Sequence, residues 1–196
     1  MDVAPATGRS DDVMETLTPA DSKSANQQPA KRAVASMSPP SDPAPDLDPT
    51  IFWLANTFGS KEQLAELLKV DMETVSRMEA EHRIFSYQPH ALEHRVYGRY
   101  QALEGISEGP LAAVLACFFN AMDAGTTWMK DRHIASFLRL PNNMLAWVTP
   151  LEALLGYPLY DAPLEEEATW LFKQDSRIRL NAVLRAAHDE LMHRRI

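Results

Sequence analysis

Helix start signals recur from residue 49 onward, whereas the alternation of polar and apolar residues that marks strands is scarce. Ser60 and Gln63 form a capping box, in which the hydroxyl accepts from the third helical N–H and the glutamine reaches back to the Ser60 N–H. Thr149 and Glu152 repeat this arrangement, with Pro150 at the first helical position. These signals predict an all-α protein, a helical bundle.

A central helix is predicted behind Gly109-Pro110, where apolar residues recur at helical spacing until Gly125. Its apolar positions are Leu111, Val114, Leu115, Phe118, Phe119 and Met122. The acidic residues 165–167 follow Pro163 and suit the first turn of a helix, where negative charge meets the dipole favourably. Further helices are expected over residues 91–103, 129–139, 164–173 and 177–193.

The first 49 residues contain eight prolines and no aromatic residue, so they hold too little apolar surface to offset the entropy lost on ordering. Residues 1–48 are therefore predicted to be a disordered tail. The composition changes at Asp48-Pro49, where the aspartate suits a helix cap and the proline suits the first turn. The rest of the chain divides into a helix-turn-helix region at 49–104 and a second helical domain at 105–196.

Charge and composition narrow the function classes. The 196 residues include 27 acidic and 19 basic ones, so a net charge of -8 repels nucleic acid except at a local basic patch. The single Cys117 excludes an internal disulfide and suits a reducing compartment. No apolar run approaches the roughly 18 residues that a membrane span needs. We therefore expect a cytoplasmic protein that does not contact a membrane.

Residues 61–80 have the spacing of a helix-turn-helix. Ala65 is small enough for two helices to cross closely, and apolar residues take the positions that pack the second helix onto the first. Lys69 stands in the turn, where a glycine is usual because a positive φ is easier without a Cβ. The inward positions are Leu64, Leu68, Val70, Val75 and Met78.

The outward face of the second helix is acidic for a helix that reads DNA. Residues 60–100 contain six basic and seven acidic residues, so a monomer is expected to bind DNA weakly. Glu73 can accept from a cytosine amine, and Arg77 can pair with guanine or phosphate. The alternatives are a plain helical hairpin of the bundle or a protein-binding relic. The candidate DNA-contacting residues are Lys61, Gln63, Met72, Glu73, Ser76, Arg77 and Arg83.

A break separates two apolar helices between residues 137 and 156. Pro141 cannot donate a backbone hydrogen bond and disfavours helix at Leu140, so the first helix should end there. The two asparagines that follow suit a turn. Trp147 has two open interpretations, packing beneath the connection or exposure at a protein interface. The connection is expected to display Met144, Leu145 and Trp147.

This segment and the helix-turn-helix together resemble antitoxins of the Xre/MbcA/ParS type. The family pattern has an apolar helix ending in Pro-Asn, a leucine, a short glycine loop, and Thr-Pro-Leu-Glu followed by two leucines. The resemblance covers about residues 51–196, and its specific part is residues 135–156, ASFLRLPNNMLAWVTPLEALLG. The matching positions are Phe137, Leu138, Pro141, Asn142, Leu145, Thr149, Pro150, Leu151, Glu152, Leu154 and Leu155.

The resemblance implies that residues 105–196 form a toxin-binding domain, that the chain neutralises a cognate RES-domain toxin, which consumes NAD, and that it represses its own operon. We expect a homodimer or higher homo-oligomer, which would double the few DNA contacts. Two alternatives remain open. One is a stand-alone DNA-binding regulator without a toxin, and the other is a protein-interaction adaptor that does not bind DNA.

Three features depart from the family pattern. Ala146-Trp147 replaces its paired glycines, so the turn is expected to have another shape; the connection after Gly156 is longer; and the last helix lacks a closing glycine. Residues 177–196 hold five arginines, which suit an acidic or nucleotide-binding cleft, DNA phosphates or a solvated helix end. The candidate partner-binding residues are Arg139, Asn142, Trp147, Arg185, Arg194 and Arg195.

His90 and His94 match the H-x-x-E-H spacing of zinc peptidases, which requires both imidazoles on one helical face. The surroundings offer no nearby third ligand and no strand scaffold, so we expect no metal site. Cys117, within the most apolar helix, is predicted to be a buried structural thiol. The 7 glycines do not cluster into a phosphate-binding loop, so neither a cofactor nor an enzymatic activity is expected.

Overall fold

The computed structural model describes residues 42–107, 109–123 and 131–193, and these form a mostly helical structure, which confirms the predicted all-α class. Two short strands pair antiparallel, β1 (Phe58–Gly59) and β2 (Tyr97–Gly98), and 3-10 turns cover Arg99–Ala102 and Asn143–Leu145. The helices are α1 (Pro49–Asn56), α2 (Lys61–Leu68), α3 (Met72–Ala80), α4 (Pro110–Asp123), α5 (Asp131–Arg139), α6 (Pro150–Leu155), α7 (Glu166–Phe172) and α8 (Ser176–His193).

The predicted helix starts are confirmed at atomic detail. The Ser60 hydroxyl accepts from the Gln63 N–H at 3.4 Å, and the Gln63 side chain accepts from the Ser60 N–H at 3.1 Å. The second capping box closes more tightly, with 3.1 Å from the Glu152 N–H to Thr149 Oγ1 and 2.8 Å from the Thr149 N–H to the Glu152 carboxylate. Asp48 caps α1 by accepting from the backbone two residues on.

The main core lies between α4, α6 and α8. Helix α8 packs against both of the others and against the 3-10 turn at residues 143–145. Leu111, Val114, Leu115 and Phe118 of α4 are buried as their spacing predicts, while Phe119 is half-buried. The predicted helix end at Gly125 lies outside the described residues.

The prediction of a helix over residues 91–103 is wrong. The segment instead runs through turns into β2 and the following 3-10 turn. The Tyr87 and Val96 backbones exchange two hydrogen bonds, at 3.0 and 2.9 Å, and Gly98 pairs with Phe58. These pairings provide partners for backbone N–H and C=O groups that would otherwise bond to each other within a helix.

The predicted tail overlaps the ordered structure at residues 42–48, which form a strap across the body. Pro43 forms an isolated antiparallel bridge with Tyr160, and the Ala44 N–H donates to the Leu159 carbonyl at 3.1 Å. Ala44 is buried, and Leu47 packs on the main core. The described structure therefore includes residues before the helix cap at Asp48, whereas the remainder of the predicted tail lies outside the described residues.

Arg179 of α8 joins the ends of two other helices. Its Nε donates to the Ala153 carbonyl at 3.0 Å and its Nη2 to the Leu154 carbonyl at 3.4 Å, while Nη1 donates to the Gln174 carbonyl. The first two carbonyls lie in the last turn of α6, where no intrahelical donor remains. Gly156 ends α6 at a φ of 86°, and a Cβ there would lie 2.7 Å from the guanidinium carbon. Glycine at 156 thus leaves room for the arginine that holds these helix ends.

Candidate functional site

Helices α2 and α3 cross as the helix-turn-helix spacing predicts. Lys69 takes the turn position with a φ of 56°, so a lysine occupies the left-handed conformation that glycine adopts more easily. The N–H of the following Val70 donates to the Ala65 carbonyl at 3.0 Å. A small separate core forms beneath the motif from Leu64, Ala65, Val75, Met78, Ile84 and Tyr97.

The candidate DNA-contacting residues of α3 lie together on one exposed face. Met72, Glu73, Ser76 and Arg77 all face solvent, so the predicted outward positions are confirmed. Two cations near this face already have partners, because the Lys61 ammonium lies 2.6 Å from the Ser76 hydroxyl and Arg77 donates to Thr74 at 3.2 Å. A ligand for this face would compete with these contacts, each exposed and therefore weak.

The remaining candidates on this side of the motif also have neighbours. The Gln63 side-chain oxygen accepts from Arg99 at 2.8 Å in addition to its capping contact. The Arg99 guanidinium in turn stacks over Trp53, 4.2 Å from the ring centroid. Arg83 lies 3.7 Å from the Glu81 carboxylate. These cations therefore already have contacts within the fold, and Arg83 has a carboxylate beside it.

A polar network ties α3 to the rest of the fold. Glu79 accepts from the buried Ser86 hydroxyl at 2.5 Å and from the Tyr97 hydroxyl at 2.8 Å. Arg95 donates to the same serine hydroxyl at 2.6 Å and pairs with Asp131 at the start of α5. Burial, reinforced by Glu79, raises the pKa of Tyr97 to about 12, so its hydroxyl remains a donor at neutral pH. These hydrogen bonds therefore fix the position of the helix-turn-helix relative to the neighbouring helices.

The loop between α5 and α6, residues 140–148, contains an exposed tryptophan. Trp147 is 55% exposed, which decides between its two interpretations in favour of a solvent-facing side chain. Ala146 and Trp147 have φ values of 52° and 63°. Both are non-glycine residues in the left-handed conformation that glycine adopts with less strain, and the expected change of turn shape relative to the family stays a prediction.

Two more large apolar side chains of this loop are exposed, and together with Trp147 they form what we call the apolar loop patch, Leu140, Met144 and Trp147. Leu140 is 54% and Met144 52% exposed. The prediction that Leu145 is displayed is wrong, because its side chain is 1% exposed and packs into the main core. Leu140 was not among the residues expected to be displayed, and it lies between the last residue of α5 and Pro141.

The polar candidates for partner binding have different surroundings. Asn142 accepts from the Met144 N–H at 2.8 Å and so holds the turn of the loop. Arg139 is half-buried and points its guanidinium over Phe58, 4.8 Å from the ring centroid. Arg185 is exposed on α8 and lies 3.4 Å from the Asn181 carbonyl. Arg194 and Arg195 lie outside the described residues.

The two histidines of the zinc-peptidase spacing and Cys117 lie in different surroundings. His90 lies in a turn and His94 in a bend, so they do not share the helical face that the zinc-peptidase spacing requires. In the described ranges, no group of three His, Cys, Asp or Glu side chains is placed to hold a metal ion. Cys117 is half-buried, and burial raises the pKa of its thiol, which disfavours the nucleophilic thiolate.

Comparisons with known proteins add no assignment. No family model matches this chain, and no curated protein or solved structure matches it either. Within residues 42–107, 109–123 and 131–193, no helix has both the length and the apolar character that crossing a membrane requires.

Proposed function

We propose that this protein is an antitoxin-like helix-turn-helix regulator whose apolar loop patch binds and neutralises a protein toxin. The observation that carries the proposal is Trp147, a tryptophan 55% exposed at a φ of 63°. An exposed side chain of this kind contributes little to the stability of the fold. Tryptophan is also among the residues that dominate protein–protein binding energy.

Backbone strain in the loop supports a role in binding. A left-handed conformation costs a non-glycine residue about 1–2 kcal/mol, and two consecutive residues of the loop have it. Strained backbone that the surrounding fold holds in place is concentrated at functional sites. Here the cap from Asn142 and the burial of Leu145 hold the loop, so the patch is presented in a fixed geometry.

The resemblance to Xre/MbcA/ParS-type antitoxins names the kind of partner, a RES-domain toxin encoded beside this chain. Co-expression of the two proteins should restore growth that the toxin alone prevents, and the two should co-purify. Replacing Trp147 with alanine should weaken the complex by roughly 30-fold to 1,000-fold, the range expected for a central aromatic hot spot. Titration calorimetry of the purified pair measures this loss.

Trp170→Ala is the matched control, because Trp170 is a comparably exposed tryptophan, 59%, on α7 rather than in the loop. Its removal should leave the affinity within a factor of about three. Equal affinity of the Trp147→Ala variant and the unchanged protein would refute the assignment of the loop. Failure of any RES-type toxin to bind, with another protein captured through Trp147, would instead favour the adaptor that does not bind DNA.

DNA binding is the second candidate function, and it is favoured by the exposed α3 face of a well-formed helix-turn-helix. Phosphate contacts supply most of the affinity of such proteins, and this face offers few uncompensated cations. Two copies on one operator would double the contribution of Arg77, which is exposed at the centre of the face. Repression is therefore expected from an oligomer at an operator and not from a monomer.

Arg77→Ala should weaken binding to the protein's own promoter and reduce the slope of log affinity against log salt by about one for each copy bound. Mobility shift or fluorescence anisotropy at a series of salt concentrations measures both quantities. Arg132→Ala is the control, because this arginine is also exposed but lies on α5. No promoter binding at low salt would exclude this second function and leave toxin binding as a separate question.

A further inference from the structure

A cavity of about 500 Å³ opens between the N-terminal strap, the start of α1 and the segment that follows α6. Leu47 and Ile51 form one wall, and Tyr157 and Pro158 form the other. The volume falls within the range of sites that hold small organic molecules, which is about 300–1,000 Å³. It is separate from the apolar loop patch and from the outward face of α3, and no residue of either lines it.

The cavity is held open by defined contacts at both ends of the strap. At its beginning, the Asp161 N–H donates to the Asp42 carbonyl and the Ala44 N–H to the Leu159 carbonyl, each at 3.1 Å. A turn follows, closed by the Leu47 N–H donating to the Ala44 carbonyl at 3.0 Å, and α1 then begins. The walls therefore belong to one connected hydrogen-bonded structure.

The polar groups at the cavity are all anionic or neutral. Asp46 and Asp48 line it, and none of the eight lining residues is a lysine, arginine or histidine. Burial, and then the nearby Asp48 carboxylate, raises the pKa of Tyr157, so its hydroxyl remains neutral and its ring remains a cation-accepting face. An anionic ligand would meet two like charges here, whereas a cation would meet two opposite ones.

We propose that this cavity binds a small organic ammonium ion, a positively charged amine on an aromatic or branched aliphatic body. The apolar body lies against Leu47, Ile51 and Pro158, and the ammonium lies toward Asp46 and the Tyr157 ring. Burial of apolar surface supplies the attraction, and the two carboxylates select the charge. This site is independent of the proposed toxin and DNA functions.

Three probes of nearly equal size test the charge selection: phenethylammonium, phenethyl alcohol and phenylacetate. Titration of the full-length ¹⁵N-labelled protein, following the amides of Ala44, Leu47 and Ile51, should show saturable binding of the cation with a dissociation constant on the order of a millimolar. The alcohol should bind at least about threefold more weakly, because it lacks the charge that the carboxylates attract. The anion should bind most weakly, because the carboxylates repel it.

Asp46→Asn should weaken phenethylammonium binding about threefold, because it removes one rim charge without touching the α1 cap. Asp42→Asn is the matched control, since it makes the same charge change on the same exposed strap outside the cavity, and it should leave the affinity unchanged. Equal affinities for the three probes, shifts that do not saturate, or equal effects of the two substitutions would overturn the proposal.

Discussion

Replacing Gln101 with leucine is expected to lower the free energy of unfolding by about 4 kcal/mol, because it leaves two buried backbone groups without partners. The Gln101 side chain is fully buried and pairs with Phe85 twice. Its Oε1 accepts from the Phe85 N–H at 2.8 Å, and its Nε2 donates to the Phe85 carbonyl at 2.9 Å. Leucine fills a similar volume but can offer neither contact. Urea denaturation followed by far-ultraviolet circular dichroism measures the loss.

The Gln101→Leu substitution is also expected to affect the packing of the helix-turn-helix. Phe85 belongs to the main core, and the preceding Ile84 belongs to the small core beneath α2 and α3. The glutamine therefore fixes the residue at which the two cores meet. Gln88→Leu is the control, because Gln88 is an exposed glutamine with one hydrogen bond, and it should change stability by less than about 0.5 kcal/mol. A Gln101→Leu effect as small as this would show that water or a shifted backbone satisfies Phe85.

Replacing Arg179 with alanine is expected to cost about 3 kcal/mol. The guanidinium donates to three backbone carbonyls at once, two in the last turn of α6 and one just after α7. Hydrogen bonds from a charged donor contribute more than neutral ones, and the positive charge also meets the negative end of the α6 dipole. Arg179→Lys should recover only part of the loss, because a single ammonium cannot match the fork that reaches all three oxygens.

Arg177→Ala provides the comparison, because Arg177 lies exposed in the first turn of the same helix. Its removal should leave the urea midpoint nearly unchanged. The same denaturation experiment on both variants therefore separates a loss of helix-end contacts from a general effect of charge. A midpoint for Arg179→Ala that equals the one for Arg177→Ala would mean that solvent replaces the arginine at all three carbonyls.

The helix boundaries could be predicted because their chemistry is local. The capping boxes at Ser60 and Thr149 involve residues only three positions apart, so the sequence contains all the groups that form them. The same is true of the turn at Lys69, whose positive φ follows from its place between two packed helices. The inward face of the helix-turn-helix was also predictable, since its apolar spacing reflects one helix crossing another.

The segment at residues 91–103 could not be predicted in the same way. Leu92, Val96, Tyr100 and Leu103 have the spacing of a packed helix face. The last three are buried, whereas Leu92 is exposed. Their burial comes instead from a strand pair and a 3-10 turn, which depend on partners in other parts of the chain. Local periodicity does not identify such partners, so it predicted the wrong backbone and the wrong burial for Leu92.

The position of the candidate loop in the chain could be predicted, but the exposure of its tryptophan could not. Pro141 and the asparagine after it mark a connection, and a tryptophan within a connection indicates either burial or binding. Only the backbone decides between these, because a left-handed residue directs its side chain differently from an extended one. The strap at residues 42–48 was missed for a related reason, since two of its hydrogen bonds join it to residues more than a hundred positions later, Leu159 and Asp161.

The two left-handed residues of the loop have a consequence for engineering. Glycine at positions 146 and 147 would relieve strain, so a selection for heat resistance alone would tend to choose it there, although glycine also gives the unfolded chain more freedom. Such a library would discard the indole ring together with the strain. Improved variants of this protein should therefore be ranked for thermal tolerance and for partner capture in the same round.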